Sequence, residues 1–299
     1  MSLYDIQHRT TYRYRRPVSL GPHQLQLRPR DSRVVRIISA EIAVTPCARP
    51  SWAHDVFGNA IATADFAAVT DTLVVESRVA LKHHAEPWPV FDIAKSAIAY
   101  PFRYSDDELS DLGALLVLQH PDPGDRLLAW ARGFVRRVPT DTLSPLKDLN
   151  AALSAWVSYQ SRDDEGTQPP LTTLDRGWGS CRDHAVLLIE AARRLGLGAR
   201  IVSGYLAMQT EGSRGSAYTG STHAWAEIYL PGAGWVTFDP TNRTVGDFNL
   251  IPVAGARDIR QTAPVSGSFV GATDDFLGMT VEVSVRTVKA DLTEDLHPG

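Results

Sequence analysis

Tyr4, Ile6, His8, Thr10, Tyr12 and Tyr14 alternate without a break with Asp5, Gln7, Arg9, Thr11 and Arg13. A period of two puts one set on a buried face and the other in water, so the chain must begin with a half-buried strand. Similar short segments follow at Val34 to Val44, Val56 to Phe66 and Leu73 to Leu81, and Phe57-Gly58-Asn59-Ala60 reads as a hairpin turn. Successive short strands with turn signals between them predict a β-sandwich over residues 1–85. Eight arginines lie between Arg9 and Arg36. They alternate with Tyr, Leu and Gln, which is the solvent face of strands rather than an arm for nucleic acid.

Residues 86–105 hold Pro87, Pro89 and Pro101 with little periodicity and read as a linker. Beyond it the spacing becomes helical over Asp106 to Gln119, Asp125 to Val138 and Leu146 to Ser161. Strand and helix patterns then mix, which predicts an α+β second domain over 106–299. With 299 residues the chain is long enough for two domains, and its formal net charge of -4 supplies no strong field for nucleic acid or an anionic membrane. Two cysteines, Cys47 and Cys181, are too few for a disulfide framework. No apolar run reaches the roughly 18 residues of a spanning helix, and the N-terminus lacks a signal-peptide core, so a cytoplasmic location is expected.

The chemistry concentrates after Leu174. Gly177-Trp-Gly-Ser180 is a turn, and Ser180-Cys181-Arg182-Asp183 has the form of a capping box. Ala185, Leu188, Ile189, Ala192 and Leu195 then make one apolar stripe, with Gly196 as a C-terminal cap, so a buried helix starts at Cys181. A thiol in that first turn feels the positive end of the helix dipole, which favours the thiolate. The Cys181 N–H could serve an oxyanion. Trp178 is a weak second donor and reads better as a packing residue.

A polar loop from Gln209 to Thr222 leads to a hairpin with His223, Trp225, Glu227 and Tyr229 on one face, and Trp235 to Asp239 on the return strand. A three-residue loop, Pro231 to Ala233, or a bulge equivalent to it, would place Asp239 opposite Trp225 and diagonal to His223, whereas a plain four-residue loop would turn it to the other face. Asp239 could then orient His223, and His223 could take the Cys181 proton.

Four blocks carry a resemblance: Gly179-Ser-Cys181-Arg-Asp183, Leu195 to Tyr205, Ser221-Thr-His223-Ala-Trp225-Ala-Glu227, and Gly234-Trp-Val-Thr-Phe-Asp239-Pro-Thr-Asn242. In this order and spacing they resemble the core of bacterial transglutaminase-like proteins, over about Leu171 to Asn242. Tyr4-x-Ile6-x-His8 and Asp55-x-Phe57-Gly-Asn59 resemble the β-rich region that precedes that core. The tail, through Ala256-Arg257-Asp258-Ile259 and the strand Met279 to Val288, resembles the closing segment, although the family's usual wording there is Gly-Arg-Asp-Tyr. The resemblance implies a papain-like core, with Cys181 as nucleophile, His223 as base and Asp239 as orienter.

The expected activity is acyl transfer on a carboxamide or peptide bond of a peptide or protein substrate, through a Cys thioester. A cysteine protease or amidase is the alternative, and a non-catalytic binding module is a further one. No cofactor is expected. Zinc on Cys181, His184, His223 and Asp239 is the competing reading and is disfavoured, because structural zinc sites favour more cysteines. Asp163-Asp164-Glu165 reads as a solvated turn rather than a calcium site, and His83-His84 as solvated linker. Oligomeric state is not readable.

Overall fold

A computed structural model of the chain describes residues 2–162, 166–207 and 221–288. Most of the polar loop before His223, and the acidic Asp163-Asp164-Glu165 turn, lie outside the described residues.

The alternation at the N-terminus becomes one long strand, β1 (Ser2–Leu20), in which Ile6, His8 and Thr10 are buried while Gln7 and Arg9 are exposed. After it come β2 (His23–Leu25), β3 (Val35–Thr45), β4 (Ser51–His54), β5 (Ala60–Ala64) and β6 (Thr70–His83). β6 pairs antiparallel with β1 on one side and β3 on the other. The turn read at Phe57-Gly58-Asn59 joins β4 to β5, with His54 opposite Ala60. Its Asp55 carboxylate accepts the N–H groups of Phe57 and Asn59 at 2.9 and 2.8 Å, an Asx turn that fixes the loop. β2, β5 and β4 form a smaller sheet facing the large one, with Leu25, Leu27, Ala62, Leu73 and Val75 buried between them.

The segment expected as a linker is folded onto the core. β7 (Ala99–Tyr100) pairs with β8 (Thr140–Asp141), Tyr104 is buried, and its hydroxyl donates to the Tyr229 carbonyl at 2.7 Å. His83 is not solvated either. It ends β6, is 3% exposed, and its Nε2 lies 3.2 Å from the Leu250 carbonyl. A neighbour distant in sequence covers it.

The helices are shorter than their spacing suggests. α1 (Asp106–Leu112) stops at Gly113, whose φ of 38° leaves the helical region. α2 (Arg126–Arg132) is capped at Gly133, and α3 (Leu143–Trp156) gives way to the two-residue strand β9 (Ser158–Tyr159). Glycine is a poor continuation in each of the first two, so the apolar spacing beyond it is used in turns instead. A short helix, α4 (Pro170–Arg176), starts on a proline and ends at Gly177 in the left-handed region. Then β10 (Trp178–Gly179) pairs in parallel with β9, immediately ahead of α5 (Cys181–Arg194).

β11 (Ala199–Leu206), β12 (Ser221–Leu230), β13 (Gly234–Asp239), β14 (Thr244–Val245) and β15 (Leu250–Ala256) make the second large sheet in the order β14-β13-β12-β11-β15. α5 packs on this sheet, burying Ala185, Leu188 and Ala192 against Ala224, Ala226 and Ile228. Two short strands, β16 (Val265–Ser266) and β17 (Phe269–Val270), precede β18 (Phe276–Val288), which pairs with β1 so that the last described strand completes the first sheet. The two large sheets share a core of Tyr4, Ile6, Val79, Tyr205, Ile251 and Val285. Asn59 adds a polar tie, donating to the Gly255 carbonyl at 3.0 Å and accepting its N–H at 2.9 Å. The whole is a mixture of helices and antiparallel sheets with an N-terminal sheet, the expected α+β class.

Candidate active site

Cys181 is the first residue of α5, and the chain before it is shaped to hold that start. Asp183, fully buried, accepts from Ser180 N at 2.8 Å, Ser180 Oγ at 2.9 Å and Gln168 N at 2.7 Å. Arg162 adds an ion pair at 3.3 Å. Burial works to raise the Asp183 carboxyl, but these donors outweigh it and hold it below its ordinary value. Gly179 makes the approach possible, since a Cβ there would stand 2.8 Å from the Asp183 Cβ. At the far end Gly196, at φ 84°, takes the left-handed position that closes the helix.

The hairpin has the three-residue loop: Leu230 pairs with Gly234 and Ala226 with Phe238. Carried one step further, this register sets Asp239 toward Trp225 and on the face of His223. The result is a 2.8 Å contact between His223 Nε2 and Asp239 Oδ2, with both residues buried. Cys181 lies near enough to the imidazole for each group to shift the proton of the other.

The electrostatics of the three groups are mutual. Burial pushes the Cys181 thiol up, yet the His223 hydrogen bond and charge, the Ala224 N–H and the Arg182 charge more than offset it, and the thiol sits below its usual value. Burial pushes His223 down, but Asp239 and Cys181 raise it to about 10. Asp239 is held low against its own burial by His223 and Asn242. Each group thus favours the charged form of the other, thiolate beside imidazolium.

Two neighbours carried no signal strong enough to be singled out. Asn242 donates its Nδ2 to Asp239 Oδ2 at 2.7 Å, while the backbone N–H groups of Thr241 and Asn242 serve Oδ1 at 3.0 and 3.2 Å. In the sequence Asn242 stands only as the last residue of the fourth block of resemblance, with no role marked for it. Tyr159, on β9, is close enough for the Cys181 charge to help raise its hydroxyl, after burial. It comes into the neighbourhood of Cys181 through the parallel pairing of β9 with β10, which no local pattern announces.

His184 stands one helical turn from Cys181 but joins the site differently. It is fully buried, its Nδ1 is 3.5 Å from Thr241 Oγ1, and burial lowers it to about 4. Among the described residues no group of three or more His, Cys, Asp or Glu side chains is disposed to hold a metal ion. Trp178 is half-buried with the Arg176 guanidinium over its ring, 5.5 Å from the centroid. Cys47 is exposed, in the turn that follows β3. No helix among the described residues is long and apolar enough to cross a membrane.

Residues 4–82 match the bacterial transglutaminase-like N-terminal region, and residues 129–240 match the transglutaminase-like superfamily. An uncharacterized protein of Mycobacterium leprae is 24% identical over 93% of this chain and 97% of its own length. One of Mycobacterium tuberculosis is 26% identical over 94% of this chain and 92% of its own. A proposed cysteine protease from Cytophaga hutchinsonii, of known structure, superposes with a TM-score of 0.73 at 20% identity, covering 98% of this chain and 92% of that one. That likeness is one of fold. With the N-terminal region matched ahead of the core, the chain carries both parts of a bacterial transglutaminase-like protein, and residues 129–240 belong to the transglutaminase-like superfamily.

Proposed function

We propose that the protein is a thiol-dependent acyltransferase acting on a carboxamide or peptide bond of a peptide or protein, with Cys181 as nucleophile. The observation that carries this reading is the Cys181–His223–Asp239 contact, in which the thiol is depressed and the imidazole raised. The Cys181 thiolate attacks the carbonyl carbon, and the oxygen gathers negative charge at the N-terminal end of α5, where the Cys181 N–H is unused by the helix. His223 gives its proton to the departing nitrogen as the C–N bond breaks, which leaves a thioester and a neutral imidazole. An incoming amine then attacks the thioester, His223 takes one of its protons, and the thiolate leaves. The product is a new amide, and the imidazolium and thiolate are restored.

Hydrolysis uses the same steps with water as the acceptor. It is favoured as a second reading by the partial exposure of Cys181 and by Tyr159 beside it, 56% exposed, since neither seals the sulfur from solvent. Incubation with a glutamine-containing peptide, with and without a primary amine, tests both by mass spectrometry. Exchange of ammonia for the amine marks transfer, conversion of amide to acid marks amide hydrolysis, and a shortened peptide marks proteolysis. No product of any kind, from protein whose Cys181 alkylates no faster than Cys47, would sink the reading.

A further inference from the structure

The N-terminal sheet ends differently on its two sides. β3 is one edge, beyond β6, and β18 is the other, beyond β1. β3 is interrupted: Ile37 pairs with Leu81 and Ser39 with Ala80, which leaves Ile38 as a bulge. Such a bulge twists an edge out of the regular ladder that another strand needs. From Gly278 to Val288, by contrast, β18 follows β1 without a shift of register. The strand holds neither proline nor lysine, and among the described residues nothing pairs with its outer side.

Both faces of β18 carry a pattern that breaks off at this edge. On the core side Val285 is buried beside Ile6, whereas Val281 is exposed although it stands opposite the buried Thr10. Met279 is exposed as well. On the solvent side the strand has two charges, Glu282 and Arg286, placed symmetrically about Ser284. Charge alternates across the sheet there. Glu76 of β6, Arg9 of β1 and Glu282 stand in one row, with Arg9 and Glu76 3.6 Å apart. Asp5 stands opposite Arg286 in another row. Opposite charges on facing residues favour pairing, and like charges oppose it.

A second β18 laid antiparallel on this edge, about a two-fold axis at Ser284, continues both patterns. Glu282 then faces Arg286 of the second copy, and Arg286 faces its Glu282. The row runs Glu76, Arg9, Glu282, then Arg286 and Asp5 of the second copy, changing sign at every step. On the core side Val283 faces Val285, and Val281 faces Thr287. An axis one residue away, at Val283 or Val285, breaks both charge pairs.

We propose that two copies of this chain join antiparallel through β18, centred on Ser284, so that the N-terminal sheet runs on from one copy to the other. The contact is isologous and therefore closes at two copies. Backbone hydrogen bonds and the apolar row supply the attraction, and the charge pairs fix the register.

The test measures the mass of the intact protein by sedimentation over about 2–200 μM, a range suited to an interface of modest area. The wild-type mass doubles as concentration rises. Glu282→Arg and Arg286→Glu each set like charges face to face at two points and weaken association at least about ten-fold. Mixed one to one, the two variants meet with opposite charges at both points and regain the dimer. The rate of Cys181 alkylation stays unchanged in both and checks their folding. Should either fold poorly, Ser284→Cys gives a second reading. Mild oxidation cross-links it more readily than the parent protein or Thr280→Cys, because only residue 284 meets its own copy. A monomer at every concentration overturns the proposal and leaves the edge to another occupant. So does a dimer undiminished in both charge variants, a mixture that associates no better than either variant alone, or cross-linking of Thr280→Cys as readily as Ser284→Cys.

Discussion

Two buried histidines lie on either side of β11 and end up in opposite states. His8, in the N-terminal sheet, meets the Tyr205 hydroxyl at 3.2 Å and the Thr10 hydroxyl at 2.9 Å, and burial lowers it to about 4. His223, in the core sheet, pairs in the ladder with the preceding residue of β11, Gly204, and is raised to about 10. Both are almost removed from water, with 2% and 6% exposure. Burial alone decides the sign only where the partners are neutral. A carboxylate on one ring nitrogen and a thiol nearby reverse it. The N-terminal histidine is thus a neutral structural element, and the core histidine is a store of one proton.

The largest effect expected from breaking this contrast is on His223. His223→Ala should slow Cys181 alkylation and any turnover by about 10²–10⁴-fold, and should move the pH dependence of alkylation toward that of an ordinary thiol such as Cys47. Rate measurement across pH by mass spectrometry of the two cysteines checks it. Cys181 already reacting like Cys47 in the wild-type protein would remove the basis of the comparison.

Next comes Asp239→Asn, which keeps a side chain of the same shape but loses the charge. Turnover should fall by about 10²-fold or more, and the upper limb of the pH profile should slide down from its wild-type position. The wild-type profile follows from the two shifts. Activity needs the thiolate, so it rises as pH climbs through the depressed Cys181 value, below that of a free thiol. It also needs the imidazolium proton for the leaving group, so it declines as pH rises through about 10. An upper limb near neutral pH would mean that His223 behaves like a histidine without its carboxylate.

A smaller effect belongs to Asn242→Ala. Removing its 2.7 Å bond to Asp239 should cost roughly a single hydrogen bond, about 0.5–1.5 kcal/mol, or some two- to ten-fold in turnover, with little change in apparent substrate affinity. The smallest effect on chemistry is expected for His8→Leu. The labelling profile of Cys181 should not move, while denaturant melts should show a loss of about 1–3 kcal/mol from the hydroxyls of Thr10 and Tyr205 left without their partner. A displaced pH profile in His8→Leu would show that the two histidines are coupled through β11.

The parts of the fold that rest on neighbours in sequence were legible. The alternation from Tyr4 to Tyr14, the start of α5 at Cys181 and the three-residue loop before Gly234 each depend on a few adjacent residues, and all stand in the structure. What escaped was set by partners far along the chain. His83 is covered by β15, Tyr159 is brought beside Cys181 by a parallel pair of two-residue strands, and Glu190 is matched by backbone donors at Gln119 and His120. The shortened helices show the same limit from another side. Apolar residues after Gly113 and Gly133 keep a helical spacing without the backbone to sustain it.

By itself the sequence determined where the first strand and the helix at Cys181 begin, which cysteine opens a helix, and which histidine and aspartate could share a face. These follow from periodicity and caps, forces that act within a turn or across a tight hairpin. The tertiary structure alone decided the charge on each group, because a pKa depends on burial and on partners that only folding assembles. His8 and His223 are the same side chain on similar strands. Only the carboxylate of Asp239 and the sulfur of Cys181, delivered by other elements, raise one of them where burial lowers the other.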